Sequence, residues 1–158
     1  MDVRPAEVVK LASNALLATR IGFANEIAKP CEDTGVDAME ALGAVGLDRR
    51  LGPPFLCPGI GWGGPCFPKD SEALRQLASN TGFHPMPLSA VIDMNDIQKR
   101  RAIQKLKDVL GDQAGRDVIL LGMAFKPGTD DMREAPSTLL ASRLLVEGGV
   151  PGAAGHAL

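Results

Sequence analysis

The chain has no tyrosine, one tryptophan and five phenylalanines in 158 residues, so aromatic side chains make up only 4% of it. That scarcity excludes the stacking platform on which single-stranded nucleic acids are held. Neither sign of charge is in excess: 17 basic against 19 acidic side chains leave −2, no footprint for nucleic acid or a membrane surface. Cysteine is sparse and unevenly placed, at Cys31, Cys57 and Cys66, which is no disulfide scaffold, and a reducing cytoplasmic setting is the simplest expectation. No Cys-x-x-Cys occurs and the two histidines, His84 and His156, are isolated, so no metal site is expected. No apolar run reaches membrane length, and no secretory signal is expected.

What is present is the composition of a globular protein, 45% hydrophobic and 23% charged, long enough for one substantial core or two small ones. One stretch stands apart: Pro58-Gly59-Ile60-Gly61-Trp62-Gly63-Gly64-Pro65-Cys66-Phe67-Pro68-Lys69-Asp70. Four glycines and three prolines in thirteen residues exclude a helix or strand interior, so this is a loop. Pro68 to Leu77 then reads as a helix, with proline in its first turn and acidic residues near its start. Cys66 falls at or just before that helix N-terminus, where partial positive charge favours a thiolate, and Lys69 and Asp70 stand within one turn of it. Cys66 is therefore a candidate nucleophile, although a cysteine that merely packs would satisfy the same pattern.

The string Gly-Trp-Gly-Gly-Pro-Cys-Phe-Pro-Lys-Asp resembles the active-site cysteine signature of the UDP-glucose/GDP-mannose dehydrogenase family. Two further motifs resemble that family in its own order. The first is Pro5-Ala6-Glu7-Val8-Val9-Lys10-Leu11-Ala12-Ser13-Asn14-Ala15. The second is Leu121-Gly122-Met123-Ala124-Phe125-Lys126-Pro127 with Thr129-Asp130-Asp131-Met132-Arg133-Glu134. The resemblance runs from Pro5 to about Ala135. The phenylalanine after Cys66 leans towards the UDP-glucose type. Two features depart from the family: Pro65 stands where serine is usual, and no Gly-x-Gly-x-x-Gly follows a strand.

From the spacing itself, Pro5 to about Asp33 is a long helix, apolar around more than half its circumference and so covered by neighbours or by a second copy. Pro30 is expected to kink or end it. Lys10 and Asn14, four residues apart, share a face, with Asn25 near the same line. By spacing alone Lys10 simply reaches solvent and Asn14 bonds a neighbouring turn. A short helix follows Gly35, over Val36–Val45. Arg49 is a surface charge. A long helix from about Leu88 to Leu110 ends in a basic run (Lys99, Arg100, Arg101, Lys105, Lys107) that reads as a solvated face. Asp117 to Phe125 is a short apolar run of the kind buried in parallel sheets, and Ser137 to Glu147 a helix closed by Gly148-Gly149. The small residues from Val150 to Leu158 predict no second strand, leaving the first to be completed by another subunit or its surroundings poorly ordered. The fold expected is mainly α: a helical domain over 1–110, carrying the dimer helix and the cysteine, then an incomplete α/β strand–loop–helix over 111–158.

The resemblance implies an enzyme that oxidises the C6 alcohol of a nucleotide-sugar, UDP-glucose first, to a carboxylate in two NAD-dependent steps through a cysteine adduct. By the same token Cys66, Lys10, Asn14 and Asp70 are catalytic: the thiol traps the aldehyde, Lys10 and Asn14 stabilise the oxyanion, and Asp70 positions or deprotonates a water. Arg50, Phe55, Gly63, Phe125 and Lys126 would bind the nucleotide-sugar, Arg50 from a neighbouring subunit, while Lys69 and Arg133 would face NAD. The resemblance also implies that the family's N-terminal cofactor domain is absent here, and with it turnover by this chain alone. Other readings stay open: a dehydrogenase of GDP-mannose or another nucleotide-sugar, an inert homodimeric core built on the 6–28 helix, and a thiol hydrolase or transferase, for which neither His84 nor His156 offers a base beside the thiol.

Overall fold

The computed structural model describes residues 3–154; His156 and the last residues of the Gly-Ala tail lie outside them. Small residues are buried on more than one side of α1 (Val3–Thr34), Ala15 and Ala18 in its first half and Ala24 and Ala28 in its second, where α3 (Phe67–Ser79) and α4 (Met86–Leu110) pack on it. Of its larger apolar residues, Ile21 packs onto the α4 cluster, while Val8, Val9, Leu16 and Phe23 are left exposed within the chain. Pro30 does not end α1. It lies near the C-terminal end, where few helical bonds remain to lose, and the helix runs on to Thr34, whose hydroxyl donates to the Pro30 carbonyl at 2.7 Å. The helix stops in a Schellman pair, Val36 N to Cys31 O at 2.9 Å and Gly35 N to Glu32 O at 3.3 Å. Asp37 then caps the short α2 (Ala38–Gly46), its carboxylate accepting from Met39 N and Glu40 N.

α4 is the spine shared by two apolar clusters. Its first half places Val91 and Ile92 against Ala18 and Trp62; its second places Ile103 against Leu140 and Leu144 of α5 (Pro136–Val146). The basic run is a solvated face only in part: Arg100, Lys105 and Lys107 are exposed. Lys105 and Arg101 hold Glu32 at the end of α1, Lys107 holds Glu147 at 2.8 Å, and Lys99 is buried. These part-exposed pairs contribute less than about 1 kcal/mol each and fix orientation more than stability.

The strand expected over 117–125 is shorter and barer. β1 (Asp117–Leu121) turns Val118 and Leu120 onto the α4–α5 cluster, while Leu121 is 86% exposed; the run is apolar on both faces, yet one face alone is packed. β1 is also not alone. β2 (Val150–Ala154) pairs with it in parallel, Asp117 opposite Val150 and Leu121 opposite Ala154. Backbone groups make this ladder, so a Val-Pro-Gly-Ala-Ala segment serves once it is aimed. The aim comes from a Schellman turn closing α5, in which Gly148 has φ +78° and Gly149 N donates to Leu144 O at 2.9 Å. No helix among the described residues is long and apolar enough to cross a membrane.

Candidate active site

Cys66 occupies the N-cap of α3, its carbonyl accepting the Asp70 N–H at 2.8 Å while its side chain makes no capping bond and is exposed. Because α3 packs on α1, the residue one turn below the thiol is driven into that interface: Asp70 is 2% exposed. Its carboxylate takes two hydrogen bonds and one longer ion pair. Asn14 Nδ2 donates to Oδ2 at 2.6 Å, Lys69 Nζ to Oδ1 at 2.5 Å, and Lys10 Nζ lies 3.6 Å from Oδ2. The Lys69 hydrogen bond, helped by Asn14 and the two lysine charges, overcomes burial and holds the Asp70 carboxyl below its ordinary 3.8. A carboxyl so held is a weak base; its work is to fix Lys10 and Asn14, each of which keeps N–H donors to spare.

The sign of that shift gives a prediction. A lowered carboxyl lends stability that is fully present above its unfolded value and lost as pH falls through the lowered one. Urea unfolding of wild type and Asp70→Asn at pH 7, 4 and 3 is therefore expected to show a steeper acid loss in wild type; parallel pH curves would refute it.

The thiol lies within electrostatic reach of two cations. Lys69 is raised chiefly by Asp70 and Arg133 chiefly by Asp131, and the sulfur of Cys66 adds a lesser contribution to each. Arg133 in turn holds the Asp131 carboxyl down to about 2, its guanidinium forked onto both oxygens. The loop after β1 rests directly on the cysteine loop: the Phe125 ring lies over Gly64 and the Glu134 carbonyl against Gly63. Lys126 Nζ sits 5.3 Å from the centre of that Phe125 ring. On the other flank Phe55, at φ 64°, and Trp62 both approach the Phe67 ring, with centroids 6.4 and 6.3 Å away.

The structure thus brings together Cys66, Lys10, Asn14, Lys69 and Asp70, with Phe55, Gly63, Phe125, Lys126 and Arg133 around them. Arg50 does not join the cluster within this chain: its guanidinium is 88% exposed and forks onto Asp48. Asn25 stays near the Asn14 line of the unbroken α1, but farther along the helix it accepts the Gly59 N–H and does not join the cluster. Sequence reasoning missed Asn95 and Gln98 of α4, which also bond the loop. Their signal was two amides three residues apart in an otherwise apolar-periodic helix. Among the described residues no group of three His, Cys, Asp or Glu could hold a metal.

A helical core presenting a thiol at a helix head, above a buried carboxylate that holds an amide and two ammoniums, is the class of site this geometry defines. Residues 4–97 match the UDP-glucose/GDP-mannose dehydrogenase family, central domain, and the chain belongs to that family. It is 48% identical over 143 residues to the UDP-glucose 6-dehydrogenase YwqF of Bacillus subtilis (strain 168), covering 90% of this chain and 32% of that protein. It is 45% identical over 146 residues to the UDP-glucose 6-dehydrogenase AglM of Haloferax volcanii, covering 92% of this chain and 34% of that protein. A solved UDP-glucose dehydrogenase from the hyperthermophilic archaeon Pyrobaculum islandicum matches with a TM-score of 0.94 at 42% identity, over 97% of this chain and 35% of that one. The chain spans about a third of the length of the curated relatives it matches.

Proposed function

We propose that this chain is the nucleophile-bearing part of a nucleotide-sugar 6-dehydrogenase, the complete enzyme converting UDP-glucose to UDP-glucuronate in two NAD-dependent oxidations. The observation that carries the reading is Cys66 at the head of α3, one turn above the Asp70–Asn14–Lys10–Lys69 cluster. Residues 1–110 form its helical central domain and 111–158 part of the domain that receives the nucleotide. Phe55, Gly63, Phe125 and Lys126 face the nucleotide-sugar, and Arg50 faces the one bound by a partner subunit.

The described residues do not fit NAD as a whole. Gly59-Ile60-Gly61-Trp62-Gly63-Gly64 follows no strand, and the space beside its last two glycines is filled by Glu134 and Phe125. Lys69 and Arg133 border the thiol on the side left for a cofactor held elsewhere, and alone this chain is inert. What its own residues do is covalent chemistry. The Cys66 thiolate adds to the C6 aldehyde, forming a C–S bond as the carbonyl electron pair moves onto oxygen. Lys10 and Asn14 donate to that oxyanion. At the thioester level a water adds to the same carbon, the C–S bond breaks and the thiolate is restored. Asp70, kept ionised, holds the donors and orients that water.

The test is a chimera in which this chain replaces the matching segment of the Bacillus subtilis relative. NADH formation with UDP-glucose is the expected result. Turnover with GDP-mannose instead would move the substrate assignment, and a folded chimera inactive with both would refute the reading.

The chain is also proposed to form a homodimer through α1. Val9, Leu16 and Phe23 recur every seven residues along one line of that helix and are all exposed. Phe23→Glu is expected to halve the mass measured by light scattering. An unchanged mass would place the interface elsewhere.

A further inference from the structure

Residues 57–62 exchange no backbone–backbone hydrogen bond with one another or with any other described residue. A segment without such bonds leaves its peptide groups to water or side chains. Two helices supply them as amides. Asn25 of α1, 2% exposed, accepts the Gly59 N–H at 2.6 Å, and Gln98 of α4 donates to the Gly59 carbonyl at 2.6 Å. Asn95 of α4, 3% exposed, serves both peptide groups of one residue: its Oδ1 accepts the Trp62 N–H at 2.7 Å and its Nδ2 donates to the Trp62 carbonyl at 3.0 Å.

We infer that Asn25, Asn95 and Gln98 form an amide cradle that positions Cys66, a role that rests on the reading of Cys66 as nucleophile. They are positioning residues, since the cradle grips the chain four and seven residues before the thiol. A carboxamide is the side chain that matches a peptide group, offering one acceptor and a donor in a single plane; a carboxylate would meet the Trp62 carbonyl with like charge. Between Trp62 and Cys66 lie only Gly63, Gly64 and Pro65. The two glycines are packed against Glu134 and Phe125, and the proline has its φ fixed by its ring. With no slack in that bridge, a shift at Trp62 is passed on to the thiol and takes it off the axis of α3.

The sequence supplies its own reporter. Trp62 is the single tryptophan and there is no tyrosine, so indole emission reads this loop alone. The experiment uses the full chain, wild type against Asn95→Leu and Gln98→Ala, with helix content checked by circular dichroism. It records emission and the iodoacetamide labelling rate of Cys66, counted by mass spectrometry with glutathione as the reference thiol in the same tube. Asn95→Leu is expected to shift emission to the red and slow Cys66 labelling about threefold, as the sulfur loses the helix N-terminus. Gln98→Ala, whose side chain is only half-buried and whose loss leaves the core intact, is expected to move both readings in the same direction by less.

Wild-type emission and labelling in both variants, with only the unfolding temperature lowered, would reduce the amides to a structural role and overturn the inference. So would wild-type readings in Gln98→Ala if Asn95→Leu failed to fold. Neither readout involves turnover, so a chimera that works without Cys66 would sink the nucleophile reading on separate evidence.

Discussion

In the chimeric enzyme, Cys66→Ser is expected to lower conversion of UDP-glucose to UDP-glucuronate by roughly 10³ or more while leaving the fold as stable as before. The two halves of that result come from one geometry. A serine hydroxyl is almost wholly un-ionised at neutral pH and has no adjacent base, so it does not capture an aldehyde as a thiol at a helix head does. The side chain at this N-cap makes no capping bond, so nothing structural is lost, and serine is a better cap than cysteine; stability is expected to stay level or rise by up to about 1 kcal/mol. A C6 aldehyde that a hydrazine can trap should then be detectable in the variant reaction. A variant that still forms the carboxylate at wild-type rate would remove the thiol from the chemistry. One that fails to fold would show that Cys66 serves packing, against its exposure.

The cysteine loop was legible because its composition forbids regular structure and because Pro68 and Asp70 mark a helix start; α3 begins at Phe67, one residue from where the signals put it. Helical spacing also put Lys10 and Asn14 on one face. What it could not say is which face meets α3, since Asn14 and Asp70 are 56 residues apart, and so the buried carboxylate came only with the structure. The basic run of α4 was legible only in part, for a related reason. Lysine and arginine read as solvated unless the distant Glu32 and Glu147 that receive them are known. β2 failed differently: Val-Pro-Gly-Ala-Ala opposes strand preference at nearly every position, yet a ladder of backbone bonds beginning at Val150 N to Arg116 O needs no side chain. The cradle amides were hidden because a buried Asn looks the same in sequence whether it serves its own helix or a loop more than thirty residues away.

Gly63→Ala is the substitution expected to cost most in stability. A methyl group there would lie 1.9 Å from the Glu134 carbonyl oxygen and 2.9 Å from both its carbon and Pro136 Cδ. None of these is the loose end of a side chain: Glu134 sits in a turn at φ 51° and Pro136 opens α5. Relief therefore requires the loop after β1 to back away from the cysteine loop, taking Phe125 off Gly64 and Arg133 from beside the thiol. Overpacking of this kind costs about 3 kcal/mol or more, against the ~0.5–1 kcal/mol that replacing a glycine gains through the unfolded chain. Gly43 is the internal control. It lies within α2, and a methyl group added there would meet nothing within 4 Å, so the same change is expected to raise stability by roughly 0.5–1 kcal/mol. Urea midpoints at constant m-value should move in opposite directions for the two variants. If Gly63→Ala unfolds where Gly43→Ala does, the contact between the two loops is soft, and Cys66 is not held between them.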